Sequence, residues 1–566
     1  MIEVAGLRLS LDAALAGNEA QAQSEIARQL NVPAEDIHTL TLRKRSVDAR
    51  KKSQIHFTNT YQIELNAAEE ARLLEHAPKG LQVHAPRVVC PLELFESPRP
   101  TLPPVVVGAG PAGLFAALYL ARCGLCPVLI ERGAPVEERQ RDVEDFFEIG
   151  SLNRESNIAF GEGGAGTFSD GKLTTNTKNP LTAHVLTWFV EAGAPKDILT
   201  EAHPHLGSDN LPHIVAAMRK EILERGGTVH FHTKMTDLRF EQGQIRALET
   251  EDDMTGERQW HQANHVILAC GHSARDVFEL CRDKGLAMVQ KPFSVGVRIE
   301  HTQEQINQAQ WGSAAHHPAL GAAEYKLAVH LPNGRSVYTF CMCPGGEVVA
   351  AASEEGGVVT NGMSNYARDG KNANAAVLVN VDPQDFGSDD VLAGVALQRS
   401  IERRAFALAL SRGASSYQAP CQRVGAFLRD MGAASNAAAD SAVTTNQHVP
   451  QPTYKRGVVE APLKQCFPDF VSESLAQALP LLGRKLKGFD NPFALMTAPE
   501  TRSSSPVRIC RSQEFQAWFD CEGEQTGLYP CGEGPGFAGG IMSAAVDGLR
   551  VAQQVAKQYA QNVASA

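Results

Sequence analysis

No stretch near the start of the chain reads as a secretory leader. Met1 to Leu15 lacks a basic segment followed by an apolar core, so a cytoplasmic protein is expected. The twelve cysteines among 566 residues have no dense, regular spacing, which argues against a disulfide framework and for reduced thiols. No internal repeat or long low-complexity tract is evident. The uncharged run Val105 to Ala121 has the length of a membrane span, but its glycines and proline cut it into strand, turn and helix, so no span is expected. The histidine pairs His203/His205, His230/His232 and His316/His317 lack a third partner cluster, so no metal site is expected. A net charge of −11 excludes a general affinity for nucleic acid, and 43% hydrophobic residues suit several domains with a large core.

What is present is a dinucleotide-binding signature. Val105, Val106 and Val107 form a strand that turns on Gly108, Ala109 and Gly110 into a helix opened by Pro111, Ala112 and Gly113. Gly108 permits the tight turn, Gly110 lets backbone approach a pyrophosphate, and Gly113 lets helix and strand pack closely. Pro111 suits the first helical turn, and Gly124 is placed to end the helix. Pro127 to Ile130 makes the next strand and delivers Glu131, followed by Arg132, to a ribose, where an acid accepts hydroxyls and repels a 2′-phosphate. His265 to Cys270 returns as a buried strand whose small-residue ending, Cys270 and Gly271, is expected beside the cofactor.

The C-terminal run from Thr526 to Ile541 selects FAD over NAD alone. It ends a strand on Gly532 and opens a helix at Ile541. Glu533 is placed to accept a ribityl hydroxyl, and Gly539 and Gly540 let backbone approach the isoalloxazine. No second G-x-G-x-x-G of comparable quality appears, so no stable NAD(P)H domain is expected. The chain resembles the uncharacterised FAD-dependent dehydrogenases of bacteria and plastids, within the glutathione-reductase-type FAD fold. The blocks that carry the resemblance are GEGGAGTFSDGKL from Gly161, FSVGVRIEH from Phe293, TFCMCPGG from Thr339, TNGMS from Thr360, ETRSSSPVR from Glu500 and GEGPGFAGGIMSAA from Gly532. It is more distantly similar to geranylgeranyl reductases and to the FAD enzyme that modifies tRNA wobble uridines.

The resemblance implies that the loop from Gly161 to Leu173 lies against the flavin. Gly163, Gly164 and Thr167 then join the cofactor-binding set. Asp170 is placed to relay a proton and Lys172 to neutralise charge at N1 or O2; the alternative is a structural ion pair between them. Cys341 and Cys343, at spacing two on one strand, are expected to face the same side, as a flavin-facing dithiol or as buried small hydrophobes. Arg298 and His301 are expected at the junction between domains. Arg502, Ser503, Ser504, Ser505 and Arg508 either hold an anionic substrate or form a capped turn.

The expected fold class is α/β. A discontinuous Rossmann-like FAD-binding domain (101–300 and 505–566) carries an inserted mixed or antiparallel-sheet substrate domain (301–504), and an N-terminal ferredoxin-like α+β module (1–97) precedes a proline-rich linker. In the nucleotide region Val229 to His232, Met235 to Glu241 and Gln244 to Thr250 suggest a small antiparallel excursion. In the insert Tyr325 to Leu331, Ser336 to Cys343 and Glu347 to Ala352 suggest one sheet, with helices at Val391 to Ser411 and Val471 to Leu482. The basic stretch Arg43 to Lys52 is open to three readings beyond a solvated hairpin end: RNA, an acidic carrier or the neighbouring domain. Only Phe57 and Tyr61 supply nearby aromatics. The function expected is FAD-dependent oxidoreduction of a small-molecule substrate, with NAD(P)H, a quinone, a ferredoxin or oxygen as the open electron partner. A flavin monooxygenase and an RNA-associated flavoprotein are the rivals.

Overall fold

A five-stranded parallel sheet places the glycine turn. Its order is Leu528–Pro530, Val266–Leu268, Val105–Val107, Val128–Ile130, Thr228–His230, so segments from distant parts of the sequence lie side by side. The computed structural model describes residues 1–86, 90–95, 97–433, 449–519 and 526–565. The three valines are buried because helices cover the sheet, which is why this strand is a continuous apolar run rather than an alternation. Helix Pro111–Arg122 buries ten of its twelve residues, and helix Ile541–Ser565 packs directly onto it. A Cβ at Gly548 would lie 2.2 Å from the Ala112 carbonyl oxygen.

Thr228–His230 corrects the expected excursion. It follows helix Leu211–Glu224 and completes a β-α-β crossover as the parallel edge strand. The antiparallel excursion consists of Thr233–Glu241, Gln244–Asp252 and Arg258–Gln262. That last strand is a polar, largely exposed edge with no burial alternation, so it gave no periodic signal.

The second large layer is a seven-stranded sheet in the order Ala328–His330, Ser336–Cys343, Asn372–Val381, Phe293–Thr302, Leu495–Glu500, Ala419–Arg423, Val458–Glu460. All neighbouring pairs are antiparallel except the last, which is parallel. The expected boundary at 300/301 falls inside the central strand Phe293–Thr302. Glu347–Ala350 does not join this sheet; it pairs with Thr360–Met363 as a separate ribbon. Helices Ala393–Ser411 and Asp469–Lys485 pack against the sheet.

The first 84 residues form a four-stranded antiparallel sheet in the order Thr39–Asp48, His56–Glu64, Ile2–Leu9, Gln82–His84. Helices Glu19–Leu30 and Ala67–Glu75 bury Ile26, Leu30 and Leu73 against it. Strand Thr39–Asp48 is an edge, and its unpaired backbone is used. Arg45 N–H donates to Thr200 O at 2.7 Å, and Ala202 N–H donates to Arg45 O at 2.8 Å. The basic stretch is therefore not simply a solvated hairpin end: part of it docks on the neighbouring layer, and Lys52 Nζ caps the Ala309 carbonyl.

A buried ion network joins the two large layers. Arg275, on helix Arg275–Asp283, donates to Glu402 at 2.8 and 2.9 Å and to Glu354 at 2.8 Å, and Arg502 adds two bonds of 3.1 Å to Glu402. Burial alone would raise the Glu402 pKa, but the Arg275 and Arg502 charges outweigh it and hold the carboxyl far below its ordinary 4.5. A depressed carboxyl contributes its full stability above that ordinary value and loses it as pH falls below. Glu402→Ala leaves two guanidinium groups short of a partner and is expected to cost about 3–5 kcal/mol in denaturant unfolding, with a shallower loss of stability below pH 4.5 than the parent chain.

Candidate functional site

The turn after Val105–Val107 closes against the end of the neighbouring strand. At Gly108, φ is +105° and a Cβ would sit 2.4 Å from Ala269 O; at Gly113 it would sit 1.8 Å from Gly108 O. Neither position tolerates a side chain. Gly110 caps helix Pro111–Arg122, whose first turn has N–H groups without an intrahelical partner and borders the adjoining cavity.

Glu131 does more than the sequence suggested. Its Oε2 accepts Ala109 N–H at 2.7 Å, and its Oε1 accepts Gly133 N–H at 3.0 Å and Gly161 N–H at 2.9 Å. A carboxylate has about four lone-pair directions, so one is left over on Oε2. The side chain ties the glycine turn to the loop after Gly161. Arg132 beside it pairs with Glu155 and Asp276 and stacks on Phe160.

That loop is shaped by Arg139, which sequence reasoning missed. The fully buried guanidinium donates to the carbonyls of Asn157, Ile158, Glu162 and Gly164 at 2.9, 3.0, 2.5 and 2.9 Å, over the ring of Phe168. The only hint in the sequence was an arginine facing the apolar side of a helix, among Val136, Val143, Phe146 and Phe147. The turn Gly164–Phe168 is wedged between two helix N-termini: a Cβ at Gly164 would lie 3.0 Å from Gly110 Cα, and one at Gly166 would lie 3.0 Å from Ile541 Cγ1.

These elements surround a cavity of about 1690 Å³. Gly108, Gly110, Pro111, Ala112, Glu131, Arg132, Gly164, Lys172, Cys270, Gly271, Glu533, Gly539, Gly540 and Ile541 line it. Gly113, Gly163, Thr167, Asp170 and Gly532 stand behind that lining. The Thr167 hydroxyl turns inward to Glu162 O at 3.3 Å, which places it in the loop rather than on the cavity. Cys270 Sγ lies 3.7 Å from Val107 O. A Cβ at Gly271, Gly539 or Gly540 would meet nothing within 4 Å, leaving bare backbone for a flat ring to approach. Glu533 is half-buried there, and burial pushes its carboxyl up to about 7 against the Lys291 charge. The cradle, the acid and the open glycines fit a flavin dinucleotide.

On another part of the wall lies a charged cluster. Asp170 is wholly buried and accepts from Lys172 at 2.8 Å, from Arg368 at 2.5 and 3.0 Å and from the Ser364 hydroxyl. Burial works to raise the Asp170 pKa, but the Lys172 and Arg368 charges prevail and hold it low. Lys172 also reaches Glu324 at 3.5 Å, and these acids keep it cationic despite its burial. His203 bonds Glu324, and His205 bonds Tyr366 O at 3.0 Å.

The other expected groups are engaged by side chains and carbonyls of the protein, although Arg502 and Ser503 also line the cavity. Arg298 is buried within the seven-stranded sheet, bidentate to Glu500 at 2.7 and 2.9 Å and bonded to the Cys341 carbonyl and Asn361, three residues that line the cavity, whereas His301 bonds Phe489 O at 2.8 Å in the core. Arg502 is committed to Glu402 and Ser353, Ser503 to Ser294 O, Ser504 to Lys291, Ser505 to Gly534 O and Arg508 to Gly536 O, the pattern of an internally paired turn. Among the described residues no three His, Cys, Asp or Glu side chains gather as metal ligands.

Replacing Arg139 with Leu removes the donor shared by four carbonyls of a buried loop, of which Glu162 O keeps the Thr167 hydroxyl. The expected loss is about 3–5 kcal/mol in denaturant unfolding. An unchanged midpoint would show that the loop holds its shape without the guanidinium.

Comparison with known proteins adds three findings. Residues 292–503 match the family model described as FAD-dependent protein, C-terminal domain-like, and residues 1–65 match a domain of unknown function. A protein of Clostridium beijerinckii, itself uncharacterised, is 42% identical over 562 residues, covering 99% of each chain. Among solved structures, 3-ketosteroid-Δ4-(5α)-dehydrogenase from Rhodococcus jostii RHA1 (11% identity, 82% of this chain and 99% of that one, TM-score 0.35) and a flavin-dependent brominase (11%, 82% and 81%, TM-score 0.36) are distant likenesses. The chain belongs to the family of the Clostridium protein and uses FAD as its cofactor.

Proposed function

We propose that the protein is an FAD-dependent oxidoreductase acting on an organic substrate held in the outer part of the cavity. The observation that carries this reading is the cavity itself. At about 1690 Å³ it exceeds the few hundred to roughly 1,000 Å³ of an ordinary ligand site, which leaves room for a substrate beside the cofactor. FAD, when bound, supplies hydride exchange at N5. In this reading residues 101–300 and 505–566 form the nucleotide domain, 301–504 the substrate domain and 1–97 a module that closes the cavity's outer side. Gly108, Gly110 and the first turn after Pro111 hold the pyrophosphate, and Glu131 takes a ribose hydroxyl. Glu533 takes a ribityl hydroxyl, and Gly539 and Gly540 admit the isoalloxazine. Lys172 offers a fixed positive charge where electron density accumulates; Asp170 and Glu324 position it and keep it protonated.

Anaerobic titration of the holoprotein with organic reductants and acceptors, followed in the flavin absorption bands, tests the reading. Stoichiometric bleaching or recovery is expected; in a parallel aerobic reaction, incorporation of oxygen into the substrate would replace dehydrogenation with monooxygenation. Lys172→Met should keep FAD and slow the substrate-linked step about a hundredfold. Equal rates would remove Lys172 from the chemistry.

The Glu533 carboxyl gives a pH signature. Its ionised form accepts a hydroxyl more strongly than its protonated form, so FAD affinity should rise as pH climbs towards about 7 and level off above it. In Glu533→Gln that inflection should vanish from a fluorescence titration. Persistence of the inflection would assign it to another group.

A further inference from the structure

The strand Ser336–Cys343 breaks its pairing where it reaches the cavity. Phe340 pairs with Ala376 and Cys343 with Asn374, so three steps on one strand match two on the other, and the extra residue makes a bulge. Cys341 sits in it with φ of +41°, a left-handed conformation that is strained for a non-glycine residue. The bulge destroys the simple alternation expected from spacing two, yet it brings the two sulfurs together. The buried Cys343 thiol donates to the Cys341 carbonyl oxygen at 3.3 Å, and each of the two thiols shifts the ionisation of the other. Arg298 fixes the bulge by donating to that same carbonyl at 2.9 Å and to Asn374 at 2.9 Å. Cys341 lines the cavity in company with Lys172 and Glu533.

We propose that Cys341 and Cys343 are a redox-active pair that accepts two electrons from the reduced flavin. In the oxidised pair a single S–S bond joins the sulfurs. Reduction breaks it: two electrons leave the reduced flavin, FAD is regenerated, and the two flavin hydrogens end as protons on the sulfurs or in solvent. The dithiol then passes its electrons to a disulfide-class acceptor, re-forming the Cys341–Cys343 bond and releasing two thiols. A ring closed over only three residues, Cys341 to Cys343, is strained and hence readily reduced by the flavin, so the acceptor it then serves is a disulfide of still higher potential. Cys341 is the sulfur that attacks. The Cys343 thiol and the Arg298 and Lys172 charges hold it below the usual thiol range although burial opposes them, so it is the better thiolate.

The proposal rests on the flavin site described above, and its test separates the two. Holoprotein is oxidised with diamide, freed of reagent, alkylated with iodoacetamide and mapped by mass spectrometry. The Cys341 and Cys343 segment is expected two hydrogens lighter and unalkylated. Anaerobic photoreduction of the flavin should restore both thiols, two alkylated for each flavin reoxidised. In Cys341→Ser and Cys343→Ser the flavin should stay reduced, with reoxidation slowed roughly tenfold or more. Cys341→Gly, whose residue suits the left-handed backbone, guards against a folding defect and should behave as Cys341→Ser. A disulfide that never forms, or one that persists beside fully reduced flavin, would overturn the proposal and leave the flavin site standing. Protein that binds no flavin would overturn both.

Discussion

Glu131 accepts backbone N–H groups from Ala109, Gly133 and Gly161, and the glycine turn, the strand end and the following loop are held in register because one buried carboxylate satisfies all three. Leaving those donors unpaired in a protein interior would cost about 1–3 kcal/mol each. Arg139 completes the frame from the other side by satisfying four carbonyls of the same loop. The backbone that faces the cavity here carries almost no side chain, so its shape has to be imposed from behind. A buried acid and a buried base divide that task.

The second constraint is the placement of two helix N-termini side by side. Helix Ile541–Ser565 reaches helix Pro111–Arg122 because Gly548 and Gly532 leave space against Ala112. The loop Gly164–Phe168 fills the gap between the two ends. The cavity opens in front of them, and the seven-stranded sheet supplies its opposite wall through the bulge at Cys341. The Arg275, Glu402 and Arg502 network fixes that sheet against the nucleotide layer. A buried ion pair of this kind is a device for holding a relative position more than a source of net stability.

Much of this was legible in the chain. The Val105 to Gly113 signature, the strand carrying Glu131 and the C-terminal glycine element are local patterns, and each keeps its elements within a few residues of expectation. The strand order of the insert was not legible: Glu347–Ala350 has strand-forming residues, but only tertiary packing decides that it pairs with Thr360–Met363 rather than the large sheet. Arg139, Arg368 and Glu324 were missed for the same reason. Their partners lie far off in sequence, and no spacing rule connects residue 170 to residue 368. The bulge at Cys341 also escaped, because a period-two argument assumes an unbroken ladder. The basic stretch after Arg43 illustrates the converse. Its charges drew attention, while its backbone edge makes the documented contacts with the segment 200–202.

Crystallography of the protein with its flavin tests most directly whether two separated glycine turns hold one nucleotide. Density for a single FAD is predicted, with the pyrophosphate over the Gly108 and Gly110 turn, a ribose hydroxyl on the remaining lone pair of Glu131, and the ring system beside Gly539 and Gly540. A flavin bound elsewhere, or one whose pyrophosphate avoids that turn, would contradict the assignment.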